Sequence, residues 1–154
     1  MSKSLRRVQE AAKSAGLEIR VQRMPETTRT AAQAASACGC AVEQIVKSMV
    51  FQGGTSGELL LVLLSGAHQL DLKNSPLVFG EALQRAEAKQ IRAQTGFAIG
   101  GVAPIGHKSP IRVWMDQQLL EHDRVWAAAG TPNAVFEVAP KALLRATGAT
   151  LFQV

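Results

Sequence analysis

Residues 45–65 read IVKSMVFQGGTSGELLLVLLS. Ile45 to Gln52 and Glu58 to Ser65 are rich in aliphatic and β-branched residues, and Gly53-Gly54-Thr55-Ser56-Gly57 between them is built of turn formers. The pattern predicts two strands joined as a hairpin. Side chains alternate along a strand, so Ile45, Lys47, Met49 and Phe51 share one face, and Val46, Ser48 and Val50 the other. Apolar groups on both faces predict a central, buried strand. Lys47 breaks the pattern. It must either run its stem out to water or sit partly desolvated, which lowers a lysine pKa. A desolvated lysine serves as base, nucleophile or fixed cation. The alternative is a lysine that snorkels from a strand end.

Upstream, Leu5, Val8, Ala12 and Ala15 recur at helical spacing, and Gly16 closes the helix. Leu17, Ile19 and Val21 alternate with Glu18 and Arg20 as in a strand. Pro25 to Thr28 reads as a loop. Thr30 then caps a short Ala-rich helix that ends at Gly39. Downstream, Gln69 to Leu72 reads as a short extended piece, and Pro76 opens a helix through Leu83. Another helix covers Ala86 to Gln94, with Gly96 past its end. Ile111 to Met115 is a strand, and Asp116 caps a helical turn. Val125 to Ala128 and Ala134 to Val138 are strands. Pro140 opens a last helix that Gly148 ends, and Thr150 to Val154 is a final strand. Irregular alternation with direct hairpins predicts one α+β domain over residues 1–154. Its sheet should be mixed and mostly antiparallel, flanked by helices, not doubly wound and parallel.

The chain has 154 residues, 47% of them hydrophobic, which excludes global disorder. Leu59 to Leu64 is the longest apolar run, too short to span a membrane. Glu10-Ala11-Ala12-Lys13 stands where a signal peptide needs an apolar stretch, so a cytoplasmic location is expected. Cys38 and Cys40 are too close to bridge well and read as small buried residues of a reducing compartment. His68, His107 and His122 lack ligand spacing, so no metal is expected. The net charge of +5 favours a polyanionic partner. Lys3, Arg6, Arg7, Lys13, Arg20 and Arg23 crowd the first 23 residues, either as a solvated helix face or as phosphate contacts. Aromatics are only 5%, and none cluster among these basic groups, which argues against a base-stacking platform.

Gly100 to Gly106, GGVAPIG, is a glycine-rich loop. Its glycines allow positive φ and close approach to a ligand, and Pro104 stiffens it. Successive N–H groups in such a loop can bind a carbonyl oxygen or an anion. It lacks the Lys-Ser/Thr pair of a P-loop and the following helix of a dinucleotide fingerprint. No GxSxG marks a hydrolase serine. Asp71 and Asp116 read as turn or cap residues. His107 either lines a pocket or lies on the surface.

Gln44 to Phe51 (QIVKSMVF), Gln69 to Lys73 (QLDLK) and Thr95 to Gly106 (TGFAIGGVAPIG) resemble, in order and spacing, the YbaK / prolyl-tRNA synthetase-associated editing domain family. The likeness runs over nearly the whole chain. It implies a single α+β domain around a mixed, partly barrel-like sheet. It also implies an enzyme that hydrolyses the ester of a wrongly charged tRNA, in trans and without cofactor or metal. The family's lysine falls on Lys47 and its GxxxP loop on Gly100 to Pro104, with N–H groups near Gly101 facing the ester carbonyl. Water attacks, helped by the substrate's own ribose hydroxyl or amino group, while Lys47 positions the aminoacyl-adenosine and stabilises charge.

The same resemblance places the amino-acid pocket between Ala31 and Ala34, the loop residues Gly100, Val102, Ala103, Pro104, Ile105 and Gly106, and Gly130 with Thr131 opposite. Ala31 and Ala34 are small where some relatives carry larger aliphatic groups, and Ala103 stands where many have serine. Serine, threonine, alanine, cysteine or 2-aminobutyrate are the expected guests, on tRNA for proline or on the serine and threonine tRNAs. Arg6, Arg7 and Lys13 are expected to touch tRNA phosphates. A synthetase or elongation factor is a further expected partner; membrane and DNA are not. The rival reading is a non-catalytic module of this fold that binds tRNA or a synthetase.

Overall fold

In the computed structural model, residues 2–24 and 30–154 are described; the loop expected at Pro25 to Thr28 lies outside them. In chain order the elements are α1 (Lys3–Ser14), β1 (Arg20–Arg23), α2 (Ala31–Cys38), β2 (Val46–Gly53), β3 (Leu59–Ser65), α3 (Ser75–Phe79), β4 (Leu83–Arg85), α4 (Ala88–Thr95), β5 (Arg112–Asp116), β6 (Val125–Ala128), β7 (Ala134–Val138), α5 (Pro140–Thr147) and β8 (Thr150–Phe152). The predicted hairpin is the antiparallel pair β2–β3, with Lys47 opposite Leu64.

The hairpin sits inside a five-stranded sheet ordered β4-β2-β3-β5-β8. β4 and β3 flank β2 antiparallel, while β5 and β8 continue the sheet in parallel. A second sheet, ordered β1-β7-β6, is antiparallel throughout. The two sheets meet where Ile45 pairs with Trp126. This is the α+β class read from the sequence.

β3 explains the unbroken run LLLVLLS: all of it is buried because both faces are covered. Leu61 and Leu63 join a core with Val8, Phe97 and Phe136. Leu60, Val62 and Leu64 join a second core with Phe51, Phe79 and Phe152. β2 departs from the expected full burial, since Lys47 to Val50 are only half-buried. β4 pairs with β2 only at residues 51–53 and β6 bridges only at Ile45, so among the described residues no strand is paired to this edge at residues 47–50. That uncovered stretch holds the site described below.

α2 forms where expected. Thr30 Oγ1 accepts from Gln33 N (3.1 Å), Gln33 Oε1 accepts from Thr30 N (3.2 Å), and Gly39 ends the helix with φ 69°. Four expectations need correction. β1 begins at Arg20, while Leu17 is a buried residue of the preceding connection. Gln69 to Leu72 forms no strand; the Asp71 side chain accepts from Lys73 N at 3.0 Å and starts a 3-10 turn. The helix opened by Pro76 stops at Phe79, where Gly80 turns left-handed (φ 83°) and sends Leu83 into β4. Cys38 and Cys40 are half-buried, not buried, and carry free thiols. Burial pushes both thiols up, Cys40 to about 11.

Candidate functional site

A cavity of about 230 Å³ opens at the uncovered edge of β2. Its walls are Ala31 and Ala34 of α2, Ile45 to Ser48 at the start of β2, and Gly100 and Val102 of the glycine loop. Trp126, Ala127 and Ala128 of β6, Thr131 and Pro132 of the following turn, and Ala134 and Val135 of β7 close it. Six of the residues singled out in the sequence therefore converge: Ala31, Ala34, Lys47, Gly100, Val102 and Thr131.

Lys47 resolves the choice posed by its position. It is half-buried, and its ammonium donates to the backbone carbonyl of His68. Burial lowers its pKa below the ordinary lysine value, while the Asp116 carboxylate works in the opposite direction. The acceptor at His68 is itself held. Asp116, 1% exposed, receives His68 Nδ1 on Oδ2 at 2.6 Å. The same oxygen accepts from Ser65 N (3.0 Å), and Oδ1 accepts from Gln118 N (3.0 Å), the cap bond expected of Asp116. The carboxylate thus has a second duty that its reading as a cap did not include.

The glycine loop is present, but its donors differ from the expectation. The N–H of Gly101 is committed to Ala98 O at 3.0 Å, closing a turn. The N–H groups of Gly100 and Val102, on the cavity wall, make no hydrogen bond to a described residue. Gly101 instead permits close packing: a Cβ there would lie 3.1 Å from the Thr131 backbone and 3.3 Å from Gly130 O. Ala103, Pro104 and Ile105 are buried and do not line the cavity. Gly106 lies against α1, where a Cβ would meet Arg7 O at 3.2 Å; Gly130 likewise faces Ser4 O at 2.9 Å. These five support the wall without forming it.

Thr131 Oγ1 donates to Asn133 Oδ1 at 2.9 Å. Ser48 is a residue that sequence reasoning passed over: its hydroxyl is buried, lines the cavity and has no hydrogen-bond partner among the described residues. With no base bonded to it, Ser48 lacks the activation a serine nucleophile needs. Beside the cavity lies an apolar groove of about 400 Å³, between Met49, Val50 and Phe51 on one side and Ile91 and Ile99 on the other, with Arg85 also lining it. The cavity and the groove share Ser48, Gly100 and Val102. Among the described residues, no three His, Cys, Asp or Glu side chains gather to hold a metal ion.

Arg6 and Lys13 are exposed on α1, but Arg7 is occupied internally. Its Nη2 donates to Gly96 O at 2.7 Å, and its guanidinium lies 4.6 Å from the Phe97 ring centroid. Arg7 therefore pins α1 to the end of α4, a correction to its expected role at phosphate. His107 is half-buried, bonded through Nε2 to Ala103 O (2.7 Å), and burial lowers its pKa. It faces Phe97 and does not line the cavity.

The arrangement offers a partly desolvated cation, two uncommitted N–H groups and small apolar walls. Such a set can stabilise negative charge developing on a carbonyl oxygen. Comparison with known proteins points the same way. Residues 25–146 match the model of the aminoacyl-tRNA editing domain. The fold is similar to a crystal structure described as a candidate trans-editing enzyme for prolyl-tRNA synthetase. The TM-score is 0.91 and the identity 46%, over 99% of this chain and 97% of that one. The uncharacterized protein YwhH of Bacillus subtilis is 32% identical over 117 residues, 76% of this chain and 74% of that protein. A candidate Cys-tRNA(Pro)/Cys-tRNA(Cys) deacylase, EbsC of Enterococcus faecalis, is 28% identical over 77% of this chain and 72% of its own length.

Proposed function

The chain belongs to the aminoacyl-tRNA editing domain family, and on that premise we propose that it is a trans-acting deacylase that hydrolyses the ester linking a small, wrongly attached amino acid to tRNA. The observation that carries this reading is Lys47, a half-buried cation on the wall of the same small cavity that Gly100 and Val102 line, whose N–H groups donate to no described residue.

Water attacks the ester carbon, and charge builds on the carbonyl oxygen. Lys47 and the loop N–H groups stabilise that charge. The C–O bond to the ribose then breaks, the ribose oxygen takes up a proton, and free amino acid and tRNA leave. The proton of the attacking water passes to the departing ribose oxygen, carried by the substrate's amino group or relayed through its neighbouring ribose hydroxyl, so no protein nucleophile enters. Lys47 acts as an ammonium ion, a state the Asp116 carboxylate favours. The methyl groups of Ala31 and Ala34 leave room for serine, threonine, alanine, cysteine or 2-aminobutyrate. The apolar groove that shares Ser48 with the cavity suits the terminal nucleoside. The tRNA is that for proline or those for serine and threonine, with Arg6 and Lys13 at phosphates. A synthetase or elongation factor hands over the charged tRNA in the cytoplasm.

A deacylation panel tests this: tRNA for proline charged with alanine, cysteine, serine, threonine, 2-aminobutyrate or proline, plus cognate Ser- and Thr-tRNA, with Lys47→Ala alongside. Lysine-dependent hydrolysis of one or two members is expected. Tight tRNA binding with no hydrolysis of any member would instead favour a binding module.

A further inference from the structure

We propose that Asp116 and His68 are positioning residues for Lys47, holding in place the carbonyl to which its ammonium is bonded beside the cavity. The inference rests on the reading of Lys47 as the functional cation.

The geometry runs in one chain. The parallel register of β3 and β5 pairs Leu63 with Met115, so the C-terminal ends of both strands lie side by side. Asp116, at the end of β5, therefore meets the connection that leaves β3 at Ser65. That connection is tied at its start: Ser65 Oγ donates to Glu43 O (3.0 Å), Gly66 N to Ile45 O (2.7 Å) and His68 N to Ser65 O (2.9 Å). Past His68 the ties stop, because the N–H groups of Gln69 and Leu70 donate to no described residue. The carbonyl that accepts from Lys47 belongs to the peptide unit between residues 68 and 69, at the boundary of tied and untied chain. The imidazole, bonded at 2.6 Å to a carboxylate that is itself buried and held by Ser65 N and Gln118 N, is the last anchor before it.

Only the Nδ1–H tautomer can donate to the carboxylate, so Asp116 also selects the ring's proton position. A cation free to swing by an ångström serves the reacting carbonyl far less well than a fixed one. The buried carboxylate favours the charged form of Lys47 directly and positions it through His68, whose carbonyl takes the ammonium's hydrogen bond.

The test measures kcat and KM for His68→Ala, His68→Asn, His68→Gln and Lys47→Ala on the ester of the panel that the wild-type protein turns over fastest, with a melting curve for each. Asparagine carries its N–H the same number of bonds from Cα as histidine Nδ1, whereas glutamine carries it one bond further. His68→Ala is expected to lose up to about 10²-fold in kcat with KM little changed. His68→Asn should recover most of that loss, and His68→Gln should not. Wild-type kcat in folded His68→Ala, or in His68→Gln should the alanine variant not fold, overturns the proposal. So does His68→Asn that is as slow as His68→Ala. If Lys47→Ala itself keeps wild-type turnover, the reading of Lys47 has failed; loss there with no effect at His68 defeats the positioning role alone.

Discussion

Replacing Lys47 by methionine keeps a long, flexible stem and removes the charge. At a half-buried site an effective dielectric near 20 applies, and a unit charge about 4 Å from a developing oxyanion interacts by about 4 kcal/mol. Deleting one preorganised donor from an oxyanion site costs about 10²–10³-fold in kcat. Here the N–H groups of Gly100 and Val102 remain to share the task, so the lower end, about 10²-fold, is the expected loss. Stability should change little. The substitution removes a cation whose charge burial disfavours, and it leaves the His68 carbonyl without its donor, an exchange within about 1 kcal/mol. Single-turnover deacylation, corrected for spontaneous hydrolysis, gives the rate, and thermal melting gives the stability. Lys47→Arg keeps the charge but in a planar fork that fits one carbonyl acceptor less well, and should fall between the two. A wild-type rate in Lys47→Met would refute the electrostatic argument.

The depressed pKa of Lys47 has a sign that can be checked. The unfolded chain binds the Lys47 proton more readily than the folded one, so stability rises with pH between the lowered folded value and the ordinary lysine value. Urea unfolding should show that rise in the wild type and lose that component in Lys47→Met, while turnover should decline as pH climbs through the same window. Gly66→Ala should destabilise by about 1–3 kcal/mol in thermal unfolding, because its Cβ would stand 2.4 Å from the backbone oxygen of Val42; an unchanged melting point would refute tight packing of the connection after β3. Arg7→Ala should lower stability by about 1.5–3 kcal/mol through its bond to Gly96 O. Arg6→Ala with Lys13→Ala should instead weaken tRNA binding, most visibly at low salt; equal effects of both changes on binding would restore Arg7 to the phosphate contacts.

The hairpin was legible because its signals are local: two apolar runs, five turn residues between them and one lysine out of place. The caps at Thr30 and Gly39 were legible for the same reason. What failed was decided at a distance or by a terminator set aside. Pro76 marks a helix start, but Gly80 already carried the stop signal, and β4 exists only because the edge of β2 accepts three residues. The extended reading of Gln69 to Leu72 failed because no strand edge is offered there, leaving the Asp71 side chain to organise a turn.

The cavity divides along the same line. Lys47 declared itself through an apolar pattern it violates, whereas Ala31, Ala34 and Thr131 carry no chemistry that marks them, and only the resemblance put them at a pocket. His68 and Asp116 were hidden by 48 residues of separation, a gap that the parallel pairing of β3 with β5 closes. The usable signal was an acid ending one apolar strand and a histidine just beyond another; it becomes a contact only once those strands are known to lie side by side and parallel. The loop shows the converse. Its sequence marks a place where N–H groups approach a ligand but not which ones are left over, since that depends on the turn bond from Gly101 to Ala98. A substitution that breaks this turn should therefore act through the orientation of Gly100 and Val102, not by removing a donor at residue 101.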